Sequence, residues 1–210
     1  MIQLNHASKS YGSKVVLQDI CLNLNKGDVV GLLGPSGSGK STILGLIAKV
    51  IQPDRGGCGT ASDHIGYVFQ DHRLLPWKTA LENVLFALEA TSDKSSQSNM
   101  KQRARKALTD VGLEKATHYF PKQLSGGMCQ RVSIARAFAI EPDILLLDEP
   151  LSALDSSRRS SILADLKRMI RQRPDMAVIY VTHNRNELAD IVKYTYEISG
   201  GQLLLADKSI

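Results

Sequence analysis

The sequence predicts an α/β fold with a mostly parallel central sheet, an antiparallel β subdomain and an inserted α-helical subdomain. Three observations predict it. Short apolar runs alternate with segments of helical spacing, the pattern of strands joined by crossover helices. One of those runs, 28–33, ends in a glycine-rich loop that opens onto a helix. A block of helical character, about 71–140, interrupts the alternation before two buried runs restore it. A chain of 210 residues accommodates this as a single domain, 1–210, with subdomains, and is too short for two full domains.

The elements follow in order. Ile2 to Lys9 and Val15 to Leu24 read as strands around a Tyr11-Gly12-Ser13-Lys14 turn. Asp28 to Leu33 is a short apolar strand, and Ser41 to Val50 has the apolar spacing of a helix. Pro53-Asp54-Arg55-Gly56-Gly57 breaks the chain before a strand at Ile65 to Phe69. The helical block from Asp71 to about Ala139 surrounds a polar stretch, Thr91 to Ser98, which reads as a surface loop. Ile144 to Leu147 and Ala177 to Val181 are buried strands. Between them Ile162, Leu163, Leu166, Met169 and Ile170 trace one face of a helix.

Composition excludes several classes. Hydrophobic residues at 43% and charged residues at 22% describe an ordinary globular chain, neither disordered nor fibrous. The net charge of +5 is scattered, and its densest cluster, Lys101, Arg103, Arg105 and Lys106, falls on the solvated face of an amphipathic helix. A nucleic-acid groove is therefore not expected. Cys21, Cys58 and Cys129 are too far apart for a zinc site or a disulfide framework. The opening residues lack a signal-peptide pattern, and no apolar run approaches the roughly 18 residues that span a bilayer. The expected location is cytoplasmic, with any membrane role exercised through a partner.

Gly34-Pro35-Ser36-Gly37-Ser38-Gly39-Lys40-Ser41-Thr42 matches G-x-x-x-x-G-K-[ST] in the required setting, with a strand before it and a helix after. Small residues let backbone N–H groups wrap a polyphosphate, and the helix N-terminus directs partial positive charge at it. Lys40 is placed to reach the β- and γ-phosphates of ATP, and the Ser41 hydroxyl to ligate Mg²⁺. The apolar strand Ile144 to Leu147 delivers Asp148 and Glu149 at its carboxyl end, where ligands of parallel sheets bind. Asp148 is expected to hold Mg²⁺ through its water shell and Glu149 to act as general base on the attacking water. His183, at another carboxyl end, is expected to contact the γ-phosphate and orient the water and the Glu149 carboxylate. His6, His64, His72 and His118 read as structural.

Leu124-Ser125-Gly126-Gly127-Met128-Cys129-Gln130-Arg131 precedes a helix expected at about 128–139, so Ser125, Gly126 and Gly127 form a second anion site. Phosphate loop, LSGG segment and Leu-Asp-Glu-Pro in this order resemble the ATP-binding cassette (ABC) ATPases over essentially the whole chain. The resemblance implies that two cassettes meet head to tail, the LSGG of one closing on the γ-phosphate held by the other, so that a homodimer completes two sites. It further implies an adenine-stacking role for Tyr11 and a role for Gln70 in touching Mg²⁺ and sensing a transmembrane partner. Ser152-Ala153-Leu154-Asp155 resembles the loop that crosses the dimer interface, with Asp155 linking the two sites. Four positions depart from the family pattern. Cys129, expected to face outward, stands where glutamine, arginine or lysine is usual, and Asn184 stands where aspartate is common. Leu151 replaces a frequent phenylalanine, and Lys49 replaces a usual glycine after the first helix.

The stretch Phe69 to Trp77, continued by Leu81-Glu82-Asn83-Val84, resembles importer ATPases for nitrate, sulfonates, taurine and thiamine-precursor pyrimidines. Membrane permease subunits are the implied partners, with a solute-binding protein acting indirectly. Leu74, Leu75 and Trp77 either line a groove for the permease or pack the subdomain. The alternative is a soluble cassette protein acting on nucleic acid or ribosomes. Its usual second cassette or long coiled-coil insertion is absent from this sequence.

Overall fold

The computed structural model describes residues 1–91, 96–152 and 154–208. In chain order the elements are β1 (Ile2–Tyr11), β2 (Lys14–Leu24), β3 (Val29–Leu33), α1 (Lys40–Ile47), β4 (Arg55–Thr60), β5 (Ile65–Val68), α2 (Ala80–Glu89), α3 (Gln97–Asp110) and α4 (Gly126–Ala139). There follow β6 (Ile144–Asp148), α5 (Ser156–Arg171), β7 (Ala177–Val181), α6 (Arg185–Leu188), β8 (Tyr194–Ser199) and β9 (Gln202–Lys208). The chain divides into two compact units, Met1–Tyr67 with Asp143–Glu149 and Arg173–Ile210, and Val68–Pro142 with Pro150–Gln172.

The first unit carries two sheets. One is three-stranded and antiparallel in the order β2-β1-β4, and the other is six-stranded in the order β5-β6-β7-β3-β8-β9. Within the larger sheet β6, β7, β3 and β8 run parallel, and β9 closes the edge antiparallel to β8. Every residue of β6 and β7 is buried, as expected of central parallel strands covered on both faces. In β1 and β2 the burial alternates instead, so Ile2, Leu4, Leu22 and Leu24 face inward and their neighbours face solvent. Ile43, Leu44, Leu46 and Ile47 of α1 join these strands in one apolar core.

In the second unit α4 packs against α2, α3 and α5. Ala80, Val84 and Leu88 of α2, Ala104 and Leu108 of α3 and Val132 and Ala135 of α4 are buried. Thr79 closes the N-terminus of α2 with a capping box to Glu82, and the buried Asn83 bonds the backbone of Leu75, Lys78 and Thr79. Arg131 joins α4 to the Val111 carbonyl at 2.6 Å and to Asp165 of α5 at 2.6 Å. Arg103, part of the basic cluster, donates to the Ala139 carbonyl at 3.1 Å, while Lys106 pairs with Asp110 on the same helix.

Several sequence expectations are corrected. Arg55, Gly56 and Gly57, read as part of a break, open a strand, Arg55–Thr60, that pairs with β1, Leu4 opposite Cys58. Its glycines hide any alternation, and Gly56 at φ 74° is required because a Cβ there would lie 2.1 Å from the His6 carbonyl oxygen. α1 ends at Ile47 rather than Val50. The Lys49 N–H donates to Leu46 and the Val50 N–H to Gly45, a Schellman ending with Lys49 itself at φ 58°. α4 begins at Gly126, two residues early, because the Ser125 hydroxyl accepts the Met128 N–H at 3.3 Å. Cys129 does not face outward. It is half-buried with its thiol directed at the Pro121 carbonyl, and burial raises its pKa. Ala153 and residues 92–95 of the expected polar loop lie outside the described residues.

Candidate functional site

The first unit gathers four of the sequence-predicted groups at the carboxyl ends of β3, β6 and β7. The loop 34–39 leaves β3 and enters α1 through Gly39 at φ 107°. A side chain at Gly39 would strike Leu17 and Val16 as well as strain the backbone. α2, α3, α4 and α5 each begin with a side-chain cap, whereas α1 has none, which leaves its first N–H groups directed into the loop. The Ser38 hydroxyl is buried there without a hydrogen-bond partner. An uncapped helix start and an orphaned hydroxyl are features that a bound anion satisfies.

Lys40 is 5% exposed and folds back over the loop, donating to the Gly34 and Pro35 carbonyls at 2.8 Å each. Its Nζ also lies 3.7 Å from Glu149 Oε1. The ammonium is thus held inside the loop by weak neutral acceptors and one carboxylate, all of which a phosphate can replace.

The two adjacent acids diverge. Asp148 is 7% exposed, accepts the Ser41 hydroxyl at 3.2 Å and the Tyr67 hydroxyl at 3.4 Å, and has its pKa raised. Burial is the main cause and the Glu149 charge adds to it, against the two hydroxyl bonds and Lys40. Glu149 turns the other way, toward Lys40 and toward His183, whose Nδ1 is 3.3 Å from Glu149 Oε2. Glu149 sits at φ 44°, a left-handed conformation that costs a non-glycine residue about 1–3 kcal/mol, although its N–H still donates to Val181. Nothing in Leu-Asp-Glu-Pro announces that twist. Tyr67, also missed by the sequence reading, could have been found only from its place on a strand beside the acid pair.

A divalent cation fits this donor set. Ser41 and Asp148 offer hard oxygen ligands, and Asp148 is a buried carboxylate short of positive charge. Two protein ligands leave most of a divalent ion's coordination to water and substrate oxygens.

Tyr11 ends β1 with an exposed ring and Lys9 over its face at 5.8 Å. Gln70, Ser125, Gly126, Gly127 and Asp155 belong to the second unit. Gln70 follows β5 and is exposed. Ser125 caps α4, and Asp155 caps α5 by accepting the Arg158 N–H at 3.0 Å. His72, read only as structural, bonds the buried Gln130 of α4, and Arg136 donates to the His72 and Arg73 carbonyls. That ties the segment after Gln70 to α4 within one unit.

A parallel sheet presenting a phosphate loop, an acid pair and a histidine at its carboxyl edge defines a phosphate-loop ATPase. The chain belongs to the ABC transporter family, which it matches over residues 17–152. It is 42% identical to the aliphatic sulfonates import ATP-binding protein SsuB of Corynebacterium glutamicum over 93% of this chain and 79% of that protein. It is 37% identical to the sulfate/thiosulfate import ATP-binding protein CysA of Synechocystis over 96% of this chain, and spans 59% of that protein's length. Among solved structures it resembles the dimeric post-hydrolysis state of the ATP-binding cassette MJ0796 bound to ADP and Pi. The TM-score is 0.88 at 33% identity, covering 99% of this chain and 98% of that one.

Proposed function

We propose that this chain is the ATP-hydrolysing subunit of an importer for a small solute bearing a sulfonate, sulfate or related oxyanion group. It works as a homodimer beneath separate membrane permease subunits, supplied indirectly by a solute-binding protein. The observation that carries the ATPase reading is the set of contacts Ser41–Asp148 and Lys40–Glu149–His183 at one sheet edge. In this reading Lys40 leaves the Gly34 and Pro35 carbonyls for the β- and γ-phosphates of ATP. Glu149, freed from Lys40, takes the proton of the attacking water, and His183 holds the carboxylate and the γ-phosphate in register. Ser41 and Asp148 would hold Mg²⁺, which would supply neutralisation of charge on the phosphate oxygens, and the resemblance gives Gln70 a part in touching that ion. Tyr11 stacks on the adenine. Ser125, Gly126 and Gly127 meet the γ-phosphate on the partner cassette, with Asp155 at the interface between the two sites.

The importer reading is supported by the similar proteins for sulfonates, sulfate and 2-aminoethylphosphonate, which are import ATP-binding proteins. No described helix is long and apolar enough to cross a membrane. Trp77 is 70% exposed, which leaves its ring open to a partner, while Leu74 and Leu75 beside it are half-buried. A buried aromatic anchor of that kind carries interface energy when a partner covers it.

Two variants test the proposal. Glu149→Gln should retain ATP binding and lower hydrolysis by about 10²–10⁴-fold. Wild-type turnover in that variant would remove Glu149 from its role. Trp77→Glu should leave soluble ATPase activity intact and abolish solute uptake in vesicles reconstituted with the permease. Unchanged uptake would place the coupling surface elsewhere.

A further inference from the structure

Glu187 is 5% exposed, and the hydrolysis scheme above makes no use of it. Its Oε2 accepts two hydroxyl hydrogen bonds, from Tyr180 at 3.0 Å and from Thr182 at 2.9 Å. Tyr180 is fully buried on β7, and Thr182 is buried just beyond its end. Thr182 Oγ1 then accepts the backbone N–H of Asn184 at 3.0 Å, and the Glu187 N–H donates to the Asn184 carbonyl at 3.1 Å. The Thr182 N–H donates to Leu32 of β3. Leu188, next to Glu187, is buried over Gly31 of the same strand. The residues on either side of His183 are therefore held by one buried carboxylate, while the imidazole itself remains exposed.

A buried carboxylate is costly unless its lone pairs are satisfied, and an apolar residue would fill the same volume without that cost. What a leucine could not do is fix the Thr182 hydroxyl. With its proton committed to Glu187, that hydroxyl has lone pairs left only to accept, and the acceptor direction falls on the Asn184 N–H. The side-chain network thus sets the backbone path through His183, and that path sets an Nδ1 to Glu149 distance of 3.3 Å.

We propose that Glu187 is a positioning residue for His183, acting through the Thr182 hydroxyl. The inference rests on the assignment of His183 and Glu149 to hydrolysis. Four variants of the full chain test it: Thr182→Val, Thr182→Ser, Glu187→Ala and Glu187→Gln. Thr182→Val keeps the side-chain shape and deletes the hydroxyl, so it remains informative if Glu187→Ala fails to fold. Thr182→Val should lower kcat by about tenfold to a hundredfold, because a small misplacement of a catalytic group costs that much. The Kd for ATP should stay within about twofold, since uniform binding is untouched. Hydrogen exchange at the Asn184 amide should accelerate in the same variant. Thr182→Ser should restore both rate and protection, and Glu187→Gln, which keeps an acceptor oxygen, should lie close to wild type. Wild-type kcat in folded Thr182→Val would overturn the proposal, as would a Thr182→Ser variant equally impaired. A rate loss with unchanged Asn184 exchange would overturn it too. His183→Ala separates the two levels. Full hydrolysis there would refute the role given to His183, whereas the Asn184 exchange reports the Glu187 linkage independently.

Discussion

At the scale of single residues, Asp148 shows what the site costs the fold. Burial raises its pKa, with the Glu149 charge adding to the effect. A raised carboxyl pKa means that the folded chain holds its proton to higher pH than the unfolded chain. The contribution of this group to stability is therefore fully present below the ordinary carboxyl range and is lost as pH rises through the folded value. Asp148→Asn should accordingly melt at a higher temperature than the parent at pH 7 without divalent ions, the difference shrinking as pH falls below about 4. The same variant should lose the extra stabilisation that Mg²⁺ gives in the presence of ATP. Thermal melts across that range check both outcomes, and a parent more stable than the variant at pH 7 would contradict the account. Residue identities at this site were legible because phosphate, cation and water each demand a particular donor type. The strained φ of Glu149 and the Tyr67 hydroxyl were not, since the first depends on how the chain leaves β6 beside Val181 of β7 and the second on how β5 lies beside β6.

At the scale of elements, the helix ends carry the most information. α1 was expected to run to Val50 because Ile43, Leu46, Ile47 and Val50 keep helical spacing, yet the chain turns at Lys49. Apolar periodicity does not stop at a Schellman ending, whose hydrophobic residue after the turn often continues it. The departure noted at this position has a physical reading. A left-handed lysine costs about 1–2 kcal/mol relative to glycine, and its ion pair with the exposed Asp63 is screened by solvent and returns little of that. Lys49→Gly should therefore raise the melting temperature by a few degrees, roughly 2–4 °C per kcal/mol for a chain of this size. Calorimetry would show it, and a lower melting temperature would mean the ion pair outweighs the strain. The strand β4 escaped notice for the opposite reason. Its sequence, Arg-Gly-Gly-Cys-Gly-Thr, has no propensity of its own and is held by pairing with β1.

At the scale of the whole molecule, the parallel order of β6, β7, β3 and β8 was implied by the alternation of apolar runs and helical segments. The antiparallel β9 and the three-stranded sheet close what that alternation leaves open. Which residues form the second anion site could be read from Ser125-Gly126-Gly127 ahead of a helix. Where that site acts is implied only by the family resemblance: one chain holds one phosphate loop and one such segment, and in the proposed homodimer each site is completed by a second copy. Ser125 caps α4 with its oxygen and keeps its hydroxyl proton available to an incoming phosphate. A cassette that binds ATP without releasing it should then draw two copies together through both sites at once, in an isologous arrangement.

The most direct test is the mass of the Glu149→Gln variant in solution with saturating ATP and Mg²⁺ withheld, measured by size-exclusion chromatography with light scattering. Two controls accompany it: Lys40→Ala, which should bind ATP weakly, and Ser125→Trp, which should bind ATP normally with its anion site blocked. The account predicts a dimer for Glu149→Gln alone and monomers for that variant combined with either control substitution. A Glu149→Gln chain that stays monomeric with ATP bound, or a Ser125→Trp form that dimerises equally well, would contradict the composite site.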